Sequence, residues 1–132
     1  MLRRQKAWDR VGIVGSMLCI AHCVSMPLLI GVLSVAGLGF LGGEWVHQVL
    51  ALLLVGVAVL AFGPGFRAHG NRAVVALAVV GVGLLVGTGF VLEPLVSEPV
   101  EVGLTVAGSA VLVGAHVANW RLTSAVECCP SH

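Results

Sequence analysis

Four long apolar runs separated by three short polar breaks dominate the chain, at about residues 11–36, 46–62, 73–92 and 102–120. Each is close to the ~20 apolar residues that a helix needs to cross a hydrocarbon core ~30 Å thick. In lipid, every backbone N–H and C=O must be satisfied within its own segment, so each run reads as a helix. The pattern predicts an all-α fold, an integral membrane bundle of four transmembrane helices. The first break is the glycine cluster from Gly37 to Gly43, followed by Glu44. The second opens at Gly63-Pro64-Gly65 and is expected to form a loop reaching Arg72. The third, Glu93 to Glu101, carries three acids, two prolines and no base. Trp45 and Trp120 lie at run ends, where interfacial aromatics gather.

Composition narrows this further. With 132 residues, 58% hydrophobic and only 10% charged, the four spans occupy residues 11–121 and leave no room for a separate soluble domain. What remains is a basic flank at residues 1–10 and a short polar tail at residues 122–132. The apolar stretch after the flank is too long for the core of a signal peptide. Bases fall in the flank (Arg3, Arg4, Lys6, Arg10), in the second loop (Arg67, Arg72) and after the fourth span (Arg121). All seven therefore lie on one side, which predicts both termini in the cytoplasm and the two base-free loops outside. A net charge of +1 without a basic stripe argues against nucleic acid. No phosphate-cradling loop and no acid-base pair for hydrolysis is present, so the chain reads as a non-enzyme. No Asp, Glu, Lys or Arg falls inside any proposed span, which disfavours an ion-coupled pump built on an intramembrane carboxylate. Gly83 with Gly87, and Ala110 with Gly114, are small-residue pairs expected to let helices pack closely.

The chemistry concentrates in the first span. On a helix, Cys19, His22 and Cys23 stand at i, i+3 and i+4 and are expected to converge on one face. Counted from Val11 at 1.5 Å per residue, the two thiols lie roughly 12 and 18 Å into the bilayer, bracketing its midplane. Two soft sulfurs with an imidazole suit a thiophilic or borderline cation rather than Mg(II) or Ca(II). Pro27 follows, removing one helical hydrogen bond and favouring a kink beyond the thiols. Cys128 and Cys129 form a second thiol pair on the tail. If extended, the eight residues after Trp120 reach ~26 Å, enough to return to the mouth of the first span. Five residues thus form the candidate metal set: Cys19, His22, Cys23, Cys128 and Cys129. His47, at the outer end of the second span, is placed to meet an arriving cation, and His116 to line its exit. No cofactor is expected beyond the metal ion these residues would bind.

The pattern Asp9-Arg-Val-Gly12, Ser16, Cys19-x-x-His22-Cys23 and Pro27, with three further spans and a terminal Cys pair, resembles the MerC family of bacterial inner-membrane mercury transport proteins. The resemblance covers essentially the whole chain, with its specific residues in the first span. It implies a multi-pass protein of the bacterial inner membrane that takes up Hg(II) by thiolate exchange, Cys19 and Cys23 being the membrane pair and Cys128 and Cys129 the cytoplasmic pair. It further implies delivery to a cytoplasmic acceptor such as mercuric reductase. One departure is visible: mercury-resistance members separate the two span cysteines by two residues, whereas three intervene here, including His22. A nitrogen donor moves preference towards Zn(II). Transport of Zn(II) or another metal, and a membrane thiol-redox protein, are the competing readings.

Overall fold

The computed structural model describes residues 2–128. Four long helices account for nearly all of it: α1 (Leu2–Val35), α2 (Glu44–His69), α3 (Arg72–Gly87) and α4 (Glu98–Cys128). Each, with α3 extended to Leu92, is long and apolar enough to cross a membrane, and among the described residues there is no strand. The sequence-based architecture holds. α4 packs chiefly against α1 and α3, while α2 bridges α1 and α3 on the other side of the bundle and also touches α4.

The helix ends follow from local chemistry. α2 starts with Glu44 in its first turn, where a carboxylate meets the positive end of the helix dipole, and carries Arg67 and His69 in its last turn. It stops at Gly70, whose φ of 65° is the left-handed conformation that glycine adopts freely, and whose N–H bonds the Phe66 carbonyl at 2.8 Å. Asn71 then caps α3, its side-chain oxygen accepting from the N–H groups of Ala73 and Val74 at 3.0 and 3.4 Å. α3 runs on into a single π-helical turn, Thr88–Leu92. There Gln48 of α2 donates from Nε2 to the Gly89 carbonyl at 3.2 Å.

α1, α2 and α4 are each longer than their apolar runs, and three sequence expectations change as a result. Gly63-Pro64-Gly65 does not end α2, because the helix continues through Pro64 to His69. The second loop shrinks to Gly70 and Asn71. Tertiary packing overrides local propensity here: Gly65 lies against the side chains of Asn119 and Gln5, where any Cβ would collide. Residues 122–128, expected as an extended tail, are the last turns of α4. A helix advances only 1.5 Å per residue, so Cys128 stands about 12 Å beyond Trp120 along the axis rather than folding back. Finally, the basic flank is the first part of α1, with Arg10 lying over the Trp120 ring at 5.6 Å.

The small-residue contacts also fall elsewhere than expected. Gly83, Gly87 and Gly114 have open space around them. The close approach is between Gly81 of α3 and Gly108 of α4, where a Cβ on Gly81 would lie 3.1 Å from the Gly108 carbonyl oxygen. A wide apolar face is turned outward along the helices, including Val14, Leu18 and Leu28 of α1 and Leu53 and Val59 of α2. In water such a face would be costly, whereas in lipid it is the expected exterior.

Candidate metal-handling site

The buried stripe of α1 is Gln5, Asp9, Gly12, Ser16, Cys19 and Cys23, at alternating steps of four and three. The matching stripe of α4 is Thr105, Ser109, Leu112, His116, Asn119 and Thr123, at the same steps. Steps of four and three hold one line on each helix, as in a coiled-coil seam. The helices run antiparallel, so Gln5 meets Thr123 (Nε2 to Oγ1, 3.0 Å) while Asp9 meets His116 and Asn119. The outcome is a polar seam through the bundle, with apolar residues facing out.

The two thiols sit towards the far end of this seam from Gln5. Cys19 and Cys23 are 3% and 1% exposed, lie next to one another, and Cys19 also neighbours Ser109. The Cys23 sulfur is 3.7 Å from His47 Nε2, and His47 Nδ1 is 3.5 Å from a Glu101 carboxylate oxygen. His22 does not join the thiols on one point, as the spacing suggested. It is half-buried, with its ring edge-on to that of His47 at 5.3 Å. The reason is helical geometry: at about 100° per residue, His22 and Cys23 diverge by a full step, so Cys23 keeps to the α4 seam and His22 turns towards α2. Among the described residues, no group of three or more His, Cys, Asp and Glu side chains comes together as a preformed metal cage. The site is a thiol pair with a His–Glu pair at its edge. Cys129 and the side chain of Cys128 lie outside the described residues.

A partly open cavity of about 210 Å³ adjoins Cys23 and is lined by Met26, Glu44, His47, Glu98 and Glu101 among others. It offers carboxylates at its rim and a thiol and a thioether deeper in, a gradient from hard to soft donors. It also joins the two base-free loops, since Glu44 follows the first and Glu98 ends the third. A family model described as MerC mercury resistance protein matches residues 9–121. The chain belongs to the MerC family. The MerC match takes in Cys19, His22, Cys23 and the greater part of all four helices but stops short of Cys128 and Cys129. With four helices of spanning length, this MerC-family chain is a multi-pass membrane protein. No curated protein and no solved structure matches it significantly.

Residue counting alone missed Asp9 and Glu101. Asp9, assigned to a solvated flank, is fully buried. Its carboxylate accepts from Asn119 Nδ2 at 3.0 Å and lies 3.0 Å from His116 Nδ1. His69 of α2 completes the network, its Nε2 2.9 Å from Asn119 Oδ1. The signal was present in the four-three spacing of polar and small residues from Gln5 to Cys23, which continues the thiol face back to the start of the helix.

Proposed function

We propose that this protein carries Hg(II) inward across the bacterial inner membrane by handing it from one thiolate pair to another. The observation that supports this most is the buried pair Cys19 and Cys23, side by side, with Cys23 lining a cavity that also carries Glu44, Glu98 and Glu101. Hg(II) is satisfied by two thiolates in a near-linear arrangement. Zn(II) wants four ligands, which the described residues do not gather. In this reading both termini are cytoplasmic and the cavity faces outside. Glu44, Glu98 and Glu101 attract the cation, and the Cys23 thiol, losing its proton to His47, makes the first Hg–S bond. Cys19 makes the second. Two S–H bonds break and two Hg–S bonds form, one proton passing to His47 and the other from Cys19 to a base deeper in the bundle, and the ligands that came in with the ion leave as anions.

Release follows the same associative exchange, an entering thiolate attacking before the leaving one departs. Cys128 and Cys129 present the next pair at the end of α4, for transfer to a cytoplasmic acceptor such as mercuric reductase. Since α4 runs on to Cys128, this pair follows directly on a membrane-spanning helix, and the acceptor comes to it.

The test is uptake of radiolabelled Hg(II) by cells producing the protein. Cys19→Ser with Cys23→Ser should abolish uptake while the protein remains in the membrane at parental levels. Unchanged uptake in that double variant would sink the reading. Cysteines introduced beside Glu44 and Glu98 should be labelled from outside by an impermeant maleimide, and labelling from the cytoplasm alone would reverse the transport direction.

A further inference from the structure

We infer that the α1–α4 seam is an intramembrane proton path, and that His116 is the acceptor for the proton Cys19 gives up when metal binds. The inference rests on the thiol-pair reading above and concerns the half of the seam that the metal chemistry leaves unused.

Four observations carry it. First, a carboxylate and an imidazole are both 0% exposed inside the bundle, Asp9 Oδ1 being 3.0 Å from His116 Nδ1. Burying such a pair is expensive, and most membrane helices that keep one use it. Second, the geometry sets the roles. An ionised Asp9 can only accept, so a neutral His116 carries its hydrogen on Nδ1, which leaves Nε2 with a lone pair. Third, that Nε2 is buried and without a partner. It lies against Gly12, where any Cβ would strike it, so the lone pair sits one turn nearer Ser16 than Asp9 does. Fourth, the residues between this nitrogen and Cys19 on the two facing stripes include Ser16 and Ser109, whose hydroxyls are also buried and unpartnered. Ser109 neighbours Cys19.

A hydroxyl accepts a proton on one side while donating its own on the other, so an orphaned pair between a thiol and a basic nitrogen is a relay. Successive positions are about one helical turn, 5.4 Å, apart, a gap that one bridging water spans. The step is balanced: the Cys19 S–H bond breaks as the second Hg–S bond forms, and an N–H bond forms at His116 Nε2. The imidazolium that results sits against the Asp9 carboxylate, so the proton converts a buried net negative charge into a neutral ion pair. From there Asn119 and His69 continue the network to the end of α2. The ionisable groups around His116 are few. α1 presents Asp9; α2 presents the Phe62 ring at 4.6 Å and, through Asn119, His69; and α3 has only Arg72, at its first residue.

Asp9 is the only aspartate in the chain, so aspartate labelled with 13C at the carboxyl reports on it alone. Infrared difference spectra of the full chain in lipid nanodiscs, carrying Cys128→Ser and Cys129→Ser so that only Cys19 and Cys23 have S–H bonds, should show both thiol S–H bands disappear with HgCl2 and the labelled carboxylate band shift together. His116→Gln should remove the Asp9 shift and slow the S–H loss roughly tenfold or more. Loss of both S–H bands with an unmoved Asp9 band in the parent would overturn the proton path and leave the thiol site standing. So would an Asp9 shift that persists in His116→Gln. S–H bands unaffected by HgCl2 would remove both proposals. If His116→Gln fails to assemble, the labelled parent alone still decides.

Discussion

α4 has two faces built on opposite principles. Towards α3 it offers Gly108 and Leu112 to Gly81, Leu84 and Leu85, a dry contact in which backbones approach because no Cβ intervenes. Towards α1 it offers Ser109, His116, Asn119 and Thr123, every one buried and most tied to a partner across the seam. Both faces hold helices together in a medium where apolar burial contributes little, one by packing and the other by hydrogen bonds. Only the second leaves spare valences, at Ser16, Ser109 and His116. A membrane helix that needs nothing but assembly can do it with glycine. The α1–α4 seam, with a carboxylate and two thiols on one helix and an imidazole on the other, holds more than assembly requires.

The contrast can be broken most sharply at Asp9. Asp9→Ala leaves His116 Nδ1 and Asn119 Nδ2 buried without their acceptor and should cost about 3 kcal/mol, read as a large drop in thermal unfolding temperature of the detergent-solubilised protein. Asp9→Asn keeps an oxygen acceptor and should cost about 1 kcal/mol. On the dry face, Gly81→Leu should cost about 1–3 kcal/mol by forcing α3 from α4. Gly83→Leu, two residues away in open space, should stay within about 0.5 kcal/mol of the parent. Equal penalties for Gly81 and Gly83 in the same melts would mean that the close approach is not what holds α3. The smallest effect belongs to His22. Because it turns from the thiol pair, His22→Ala should change Hg(II) uptake by less than about twofold, two thiolates being sufficient for the ion. A loss comparable with that of the double serine variant would return His22 to the ligand set. Metal affinity at the thiol pair should also rise with pH, since each thiol loses a proton on binding, which calorimetry across a pH series would measure.

Much of this was legible along the chain. Four apolar runs of spanning length leave no alternative to helices, because the lipid interior offers no other partner for the backbone. The Cys19, His22 and Cys23 cluster and Pro27 were visible as residues that do not belong in lipid without a reason. Where the helices stop was not visible. Pro64 and the polar tail read locally as breaks, yet α2 and α4 continue through them because neighbouring helices and internal hydrogen bonds stabilise the longer element.

The amino-acid order by itself determined the class of the protein, the number of its spans and the presence of soft donors in the first of them. These depend on hydropathy and residue type, which act over a single segment. Only the tertiary structure decided which donors meet. It separated His22 from Cys23, brought His47 and Glu101 to the thiol's edge, and moved Asp9 from a presumed flank to the buried partner of His116. The physical reason is that a helix assigns a direction to each side chain at about 100° per residue, and that direction acquires meaning only when a second helix stands opposite it.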